Sequence, residues 1–283
     1  MQTRYATHPD DFNALSTADL RERFVVDDLF TANEVTLVYS HHDRMVLGGA
    51  VPTAGKPLAL TAPEGFKSAF FCERRELAVV GVLGSGSVVV DGAKYNLNAK
   101  DVLYIGRGAE SIVLETNESS ARFYLASATA HMTYPTTLVP LSEALRVEAG
   151  ETATANERTI YKHLHEDGVR TAQLVLGITA LKAGNVWNSM PPHTHDRRTE
   201  VYLYMDLPDE HRIQHFMGMP DAPRSVAMRN NEAVVSPSWS VHLGAGTTNY
   251  SFVWVMAGEN QSFTDMDQVS VVQLGAPPRA EAS

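Results

Sequence analysis

His193-Thr194-His195-Asp196-Arg197-Arg198-Thr199-Glu200 is the stretch that decides how this chain folds and works, and Pro237-Ser238-Trp239-Ser240-Val241-His242 completes it. On a strand, residues i and i+2 project to one face, so His193 and His195 can reach a single ion. Glu200 breaks that parity. The break is expected if residues 196–199 form a tight turn and the chain re-enters on the next strand with Glu200 pointing inward. Pro237 ends the apolar run Ala233 to Ser236, since it has no N–H for the ladder, and the turn it begins re-aims the chain so that His242 faces the same point. Three imidazoles and one carboxylate suit a borderline divalent cation, so His193, His195, Glu200 and His242 are the expected ligands of one metal ion.

A His-x-His pair by itself carries little, because eleven histidines in 283 residues give roughly 0.4 such pairs by chance. A second pair, His163 and His165, has no Pro-turn-His partner, and Glu166-Asp167-Gly168 after it reads as a turn. It is expected to be a bystander. Beyond Glu200, Tyr202 and Tyr204 share its strand face and look toward the metal, while Val201, Leu203 and Met205 line the other face.

Outward from this site the chain is a series of short Val-, Tyr-, Phe- and Leu-rich runs broken by Gly and Asp, as in Leu77 to Leu83, Ser87 to Val90, Lys94 to Leu97 and Val102 to Ile105. Such spacing predicts an all-β protein of barrels or sandwiches. Asp91-Gly92 fits a two-residue hairpin turn. Helix is expected only over Asp10 to Phe24, with Ser16 or Thr17 as N-cap, and over Ser142 to Arg146. The pattern weakens between Pro135 and Glu157, which divides the chain into residues 1–140, residues 141–275 and a flexible tail at 276–283.

The halves also resemble each other. Glu73-Arg74-Arg75-Glu76-Leu77 parallels Asp196-Arg197-Arg198-Thr199-Glu200-Val201 with one gap. That alignment sets Phe70 and Cys72 where His193 and His195 stand, so the first half is expected to keep the scaffold and lack the metal.

With 44% hydrophobic residues and a formal net charge of −10, the chain can fill sizeable cores, and its field repels phosphate backbones and anionic lipids. Neither nucleic acid nor membrane is an expected partner. The first residues lack an apolar signal core, no run approaches the ~20 apolar residues of a membrane helix, and the single cysteine, Cys72, excludes an intrachain disulfide. A cytoplasmic setting follows as the expectation. Cys72 is expected inside a strand, as packing and not as a nucleophile.

The His-x-His, Glu and Pro-turn-His pattern resembles the metal motif of the cupins, and Gly84-Ser85-Gly86, Asp91-Gly92, Asp101 and Tyr104-Ile105 resemble its metal-independent part. Trp239 stands where a glycine is usual, and Gly246 where an asparagine is expected. Tyr39-Ser40-His41 with Asp43-Arg44, Thr133-Tyr134-Pro135-Thr136, Trp187-Asn188 and Asp265-Met266-Asp267 sharpen the likeness to the family of 5-keto-4-deoxyuronate isomerases. The resemblance implies a bicupin with one zinc in its second half, held by His193, His195, Glu200 and His242. It also implies a cytoplasmic homohexamer of pectin and uronate breakdown. The reaction it implies converts 5-dehydro-4-deoxy-D-glucuronate to 3-deoxy-D-glycero-2,5-hexodiulosonate.

An aldose–ketose shift of that kind needs an electrophile, a base and a grip on the substrate carboxylate. With four ligands the site is crowded for zinc, and Mn, Fe, Co or Ni would be less strained there. The candidates for the base are Tyr202, Tyr204, Lys162 and a metal-bound hydroxide. Arg197, Arg198, Arg158 and Lys162 are the candidates for the carboxylate. The same ligand set also serves a 5-deoxyglucuronate isomerase or a cupin dioxygenase, and a sugar-binding bicupin without turnover is the reading from a different class.

Overall fold

Side-chain alternation along the strands sorts the apolar residues into three separate cores. In the computed structural model, which describes residues 1–275, two seven-stranded sheets form, each closed over a four-stranded one. The all-β expectation of two cupin-type barrels is borne out; the tail at 276–283 lies outside the described residues. Among the described residues, no helix is long and apolar enough to cross a membrane.

The two large sheets repeat each other in register about their central strands. Strand Arg75–Leu83 lies between Arg122–Thr129 and Val102–Ile105, as Arg198–Met205 lies between Ser251–Gly258 and Ala233–Ser236. Arg75 pairs with Thr129 and Leu77 with Ser127, while Arg198 pairs with Gly258 and Glu200 with Met256. Leu77 is thus the counterpart of Glu200, and the gapped alignment that would set Glu76 there is corrected by strand parity. Leu77 and Val79 face the interior of the first barrel, whereas Ala78 and Val80, on the Glu76 side, face the other barrel.

That inter-barrel layer is a core in its own right. Leu47, Val80 and Tyr124 of the first large sheet meet Leu176, Val201 and Val255 of the second, all buried. Each such side chain contributes ~1.5–3 kcal/mol relative to exposure, so the barrels are held back to back by the same force that fills them.

The N-terminal segment crosses the division expected at residue 140. Ser16 caps helix Thr17–Phe24 in a reciprocal capping box with Asp19, and a separate turn of helix, Pro9–Phe12, precedes it. Phe12, Leu20 and Phe24 bury themselves in the core of the second barrel. Strand Val25–Val26 then becomes the last strand of the second large sheet, pairing with Val234 and Ala233.

Two local expectations are overturned. Residues 142–144 form a turn, and the helix expected over Ser142 to Arg146 gives way to strand Leu145–Ala149, which pairs with Arg158–Leu164. Cys72 sits in a turn and not in a strand, and burial pushes its thiol up to about 12, which leaves it unreactive. At Asp91-Gly92 the hairpin forms as expected, with positive φ at both residues.

Candidate metal centre

His193 lies on the two-residue strand His193–Thr194, which pairs with Asp267–Gln268. His195 follows, and the Arg198 N–H donates to its carbonyl at 2.9 Å, so the turn is tighter than the four residues expected and Arg198 already opens the next strand. Glu200 is the third residue of that strand. On the opposite wall, the Ser240 N–H donates to the Pro237 carbonyl at 2.9 Å. That closes the turn which delivers His242 on strand Val241–Gly246.

The four groups converge: one ligand atom from each of His193, His195, Glu200 and His242 lies within 4.8 Å of all the others. His195 Nε2 and His242 Nε2 are each 2.9 Å from Glu200 Oε2, and His193 Nε2 is 3.1 Å from His242 Nε2. The far nitrogens face carbonyls. His195 Nδ1 is 2.6 Å from the Asp265 oxygen, His242 Nδ1 3.3 Å from that of Ser240, and His193 Nδ1 3.5 Å from that of Pro191. A carbonyl only accepts, so each ring carries its proton on Nδ1 and turns a bare Nε2 lone pair inward. Three lone pairs and a carboxylate oxygen packed this closely repel one another unless a cation lies among them. The donor set therefore fits a metal ion.

The electrostatics agree. Burial, and after it His242, pushes His193 down to about 3, which keeps the ring neutral.

A cavity of about 210 Å³ opens over the cluster, walled by Ile160, Met190, Phe252, Trp254 and Phe263, with Arg158, Ser189 and Tyr202 as further polar lining. Tyr202 lies where parity placed it, its hydroxyl 2.6 Å from Ser189 Oγ. Burial first, and then the Glu200 carboxylate, push its phenol well above the ordinary value. Arg158 donates from Nη1 and Nη2 to the carbonyls of Asn156 and Met190, which steadies its guanidinium at the rim.

The other candidates lie elsewhere. The Tyr204 hydroxyl is 2.8 Å from His215 Nδ1 beneath the cavity, so it belongs to the barrel interior. Lys162 shares the strand face of Arg158 but lies beyond Phe263, its ammonium 3.5 Å from that ring's centre. Arg197 is turned outward and paired with Asp265 and Asp267 at 2.6 and 2.8 Å. Arg198 is buried and donates to the Ser262 and Asp265 carbonyls. It holds in place the loop whose Asp265 oxygen orients His195, and it does not face the cavity. His163 contacts backbone carbonyls only, in keeping with a bystander.

Three participants escaped the sequence reading: Ser189, Gln268 and the carbonyl of Asp265. A backbone oxygen has no residue signature. For the others the signal was the strings Trp187-Asn188 and Asp265-Met266-Asp267, which mark the segments without saying what they do.

The comparisons with known proteins point one way. Residues 24–271 match the model of the KduI/IolB family. A 4-deoxy-L-threo-5-hexosulose-uronate ketol-isomerase of Halalkalibacterium halodurans is 48% identical over 276 residues, 97% of this chain and 100% of that protein. One from Bacillus subtilis is 47% identical over 95% of this chain and 98% of its own length. Among solved structures, an IolB-like protein from Salmonella typhimurium superimposes with a TM-score of 0.70 at 15% identity, covering 87% of this chain and 96% of that one. An oxalate decarboxylase of Bacillus subtilis, at TM-score 0.55 and 11% identity over 80% of this chain and 71% of its own, shares the fold. With a family match over most of its length and close to half of its residues identical to these isomerases, the chain belongs to the KduI/IolB family.

Proposed function

We propose that the chain is a metal-dependent ketol-isomerase interconverting 5-dehydro-4-deoxy-D-glucuronate and 3-deoxy-D-glycero-2,5-hexodiulosonate. The observation that carries this reading is the convergence of His193, His195, Glu200 and His242 beneath a cavity that also presents Arg158 and Tyr202, in a chain whose relatives bear that activity in their names. When bound, the ion supplies a Lewis acid that draws electron density from the substrate's carbonyl and hydroxyl oxygens.

The chain's own residues do the rest. Arg158 offers a planar fork to the substrate carboxylate at the rim. Tyr202, whose phenol is held protonated by burial and by Glu200, is suited to donate a proton to an oxygen at which negative charge grows, and Ser189 at 2.6 Å can exchange that proton with it. Phe252, Trp254 and Phe263 exclude water, which protects the enediol and strengthens each polar contact.

Zinc is the ion of choice for three imidazoles and a carboxylate, with Mn, Fe, Co and Ni as rivals for the same donors. The homohexamer and the cytoplasmic setting rest on the family resemblance. To test the reading, the purified protein is analysed for bound metal and then assayed by NMR with the unsaturated-uronate breakdown product and, in parallel, with 5-deoxyglucuronate. About one ion per chain, loss of turnover on chelation with recovery on reloading, and preference for the first substrate are expected. Full activity after the metal is stripped would refute the metal's role, and preference for 5-deoxyglucuronate would move the chain to the other isomerase reaction.

A further inference from the structure

The first barrel has an opening of its own. A cavity of about 410 Å³ lies at the end where strand Arg75–Leu83 begins and Arg122–Thr129 ends, lined by Tyr39, His41, Phe66, Arg74, Arg75 and Thr129 among others. No aspartate or glutamate lines it, although the chain's formal net charge is −10.

Arg75 sets its character. It shares inward parity with Leu77 and Val79 and is only 6% exposed. Nε donates to Ser127 Oγ at 3.0 Å, and Nη2 donates to the carbonyls of Arg44 and Ser127 at 2.7 and 3.0 Å. Nη1 makes no hydrogen bond among the described residues, and none of their ion pairs includes Arg75. The rings of Phe66 and Tyr39 lie 5.3 and 6.0 Å from its Cζ. A buried guanidinium ordinarily has a carboxylate for company; here carbonyl dipoles and ring faces stand in. Arg198 occupies the same register in the second barrel, but both of its terminal nitrogens are engaged, by the carbonyls of Ser262 and Asp265. Of these two arginines, Arg75 is the one with a terminal nitrogen, Nη1, left free beside a cavity.

We propose that this cavity binds a small hydroxylated monocarboxylate of the sugar-acid class, with Arg75 receiving the carboxylate and Tyr39 and Phe66 flanking the carbon skeleton. The two N–H groups of the free Nη1 suffice for one carboxylate. A phosphate dianion would need a second free cation, and Arg74 is already paired with Glu73 at 3.3 Å. Thr3, Ser68 and Thr129 bring hydroxyls to the same walls, which suits a polyol chain better than a bare aromatic acid.

The test is calorimetric titration of the intact protein carrying Arg158→Met, which disables the carboxylate fork at the other cavity. The probes are D-glucuronate, benzoate, inorganic phosphate and D-glucose. Because Arg75 also ties down backbone carbonyls, its removal can disturb the fold, so a blocking variant is added. A Cβ at Gly65 meets nothing nearer than Met1 Cε at 3.9 Å, and Gly65 lines the cavity, so Gly65→Phe is used to add bulk to its wall while leaving Arg75 in place. Saturable glucuronate binding is expected, with no uptake of glucose and at least tenfold weaker binding in both Gly65→Phe and Arg75→Lys. Absence of glucuronate binding, or equal affinity in Gly65→Phe, overturns the site. Tighter binding of benzoate or phosphate overturns its assignment to a sugar acid.

Discussion

The carboxylate of Asp43, on a turn of the first barrel, accepts the N–H of Thr199 at 2.7 Å, one residue before Glu200 of the second. Asp43 and Arg44 both hold left-handed backbone, with φ of 47° and 51°, a conformation that persists only when surrounding contacts fix it. The first barrel therefore positions the carboxylate of the candidate metal centre. Asp43→Ala is expected to cost ~1–3 kcal/mol by stranding a buried amide and to weaken metal binding roughly 10–100-fold, as loss of an outer-shell partner does. Denaturant titration and competition with a metal chelator measure the two effects, and Asp43→Asn should restore part of both.

The clasp is reciprocated. Glu76 of the first barrel is fully buried and accepts the Tyr104 hydroxyl and the N–H groups of Ala172, Gln173 and Leu174, all within 2.8 Å. Glu76→Gln removes the charge from four donors and turns an NH₂ toward amides. A loss of about 3 kcal/mol is expected, with metal content at saturating ion unchanged; chemical denaturation against elemental analysis separates the two.

Tyr202 and Tyr204 make a matched pair for mutation. Tyr202→Phe should lower kcat ~10²–10⁴-fold with metal content intact, the usual range for a lost proton donor. Tyr204→Phe should lower stability by about 1 kcal/mol through the unpaired His215 nitrogen and leave kcat within a fewfold. Steady-state kinetics on metal-loaded protein checks both, and equal losses of kcat would remove Tyr202 from its assigned role.

Arg158→Met should raise KM at least tenfold, since a bidentate carboxylate contact carries more than a single neutral hydrogen bond. Arg197→Ala should leave KM alone, because its guanidinium is spent on Asp265 and Asp267 outside the cavity. Substrate-saturation curves for the two variants decide between them.

His163 makes the fold sensitive to acid. Burial pushes its imidazole down to about 4, whereas an unfolded histidine titrates near ~6.5. Between those values the unfolded chain binds the extra proton, so stability falls as pH drops from ~6.5 to 4 and is flat for this group above that window. His163→Gln should flatten the decline by on the order of a few kcal/mol, read as the difference between variant and parent melting curves across pH 4–7. An undiminished slope would assign the sensitivity to other buried histidines.

Most of the second barrel's candidate site was legible because its would-be ligands obey strand parity and its turns are punctuated. His193, His195 and Glu200 straddle one reversal, and Pro237 announces another. The hairpin at Asp91-Gly92 and the cap at Ser16 were legible for the same reason: a backbone conformation demands a residue type. What stayed hidden was direction at strand ends and contact over distance. Arg197 and Arg198 are adjacent cations beside the ligands, yet one turns to solvent and the other under a loop, and only the position of Asp265, some seventy residues on, decides which. Likewise Glu76 resembles Glu200 in its string but faces the opposite way, which becomes visible only once the ladder partners are known.

The crossing of Val25–Val26 onto the second large sheet bears on how the chain is made. Phe12, Leu20 and Phe24 are synthesised first, but their berth is complete only when Ala233–Ser236 has been added. At ~5–20 residues per second, that wait is on the order of 10–40 s. Through it the nascent chain carries an apolar hook with nothing to catch, so the ribosome must release almost the whole polypeptide before either end is shielded.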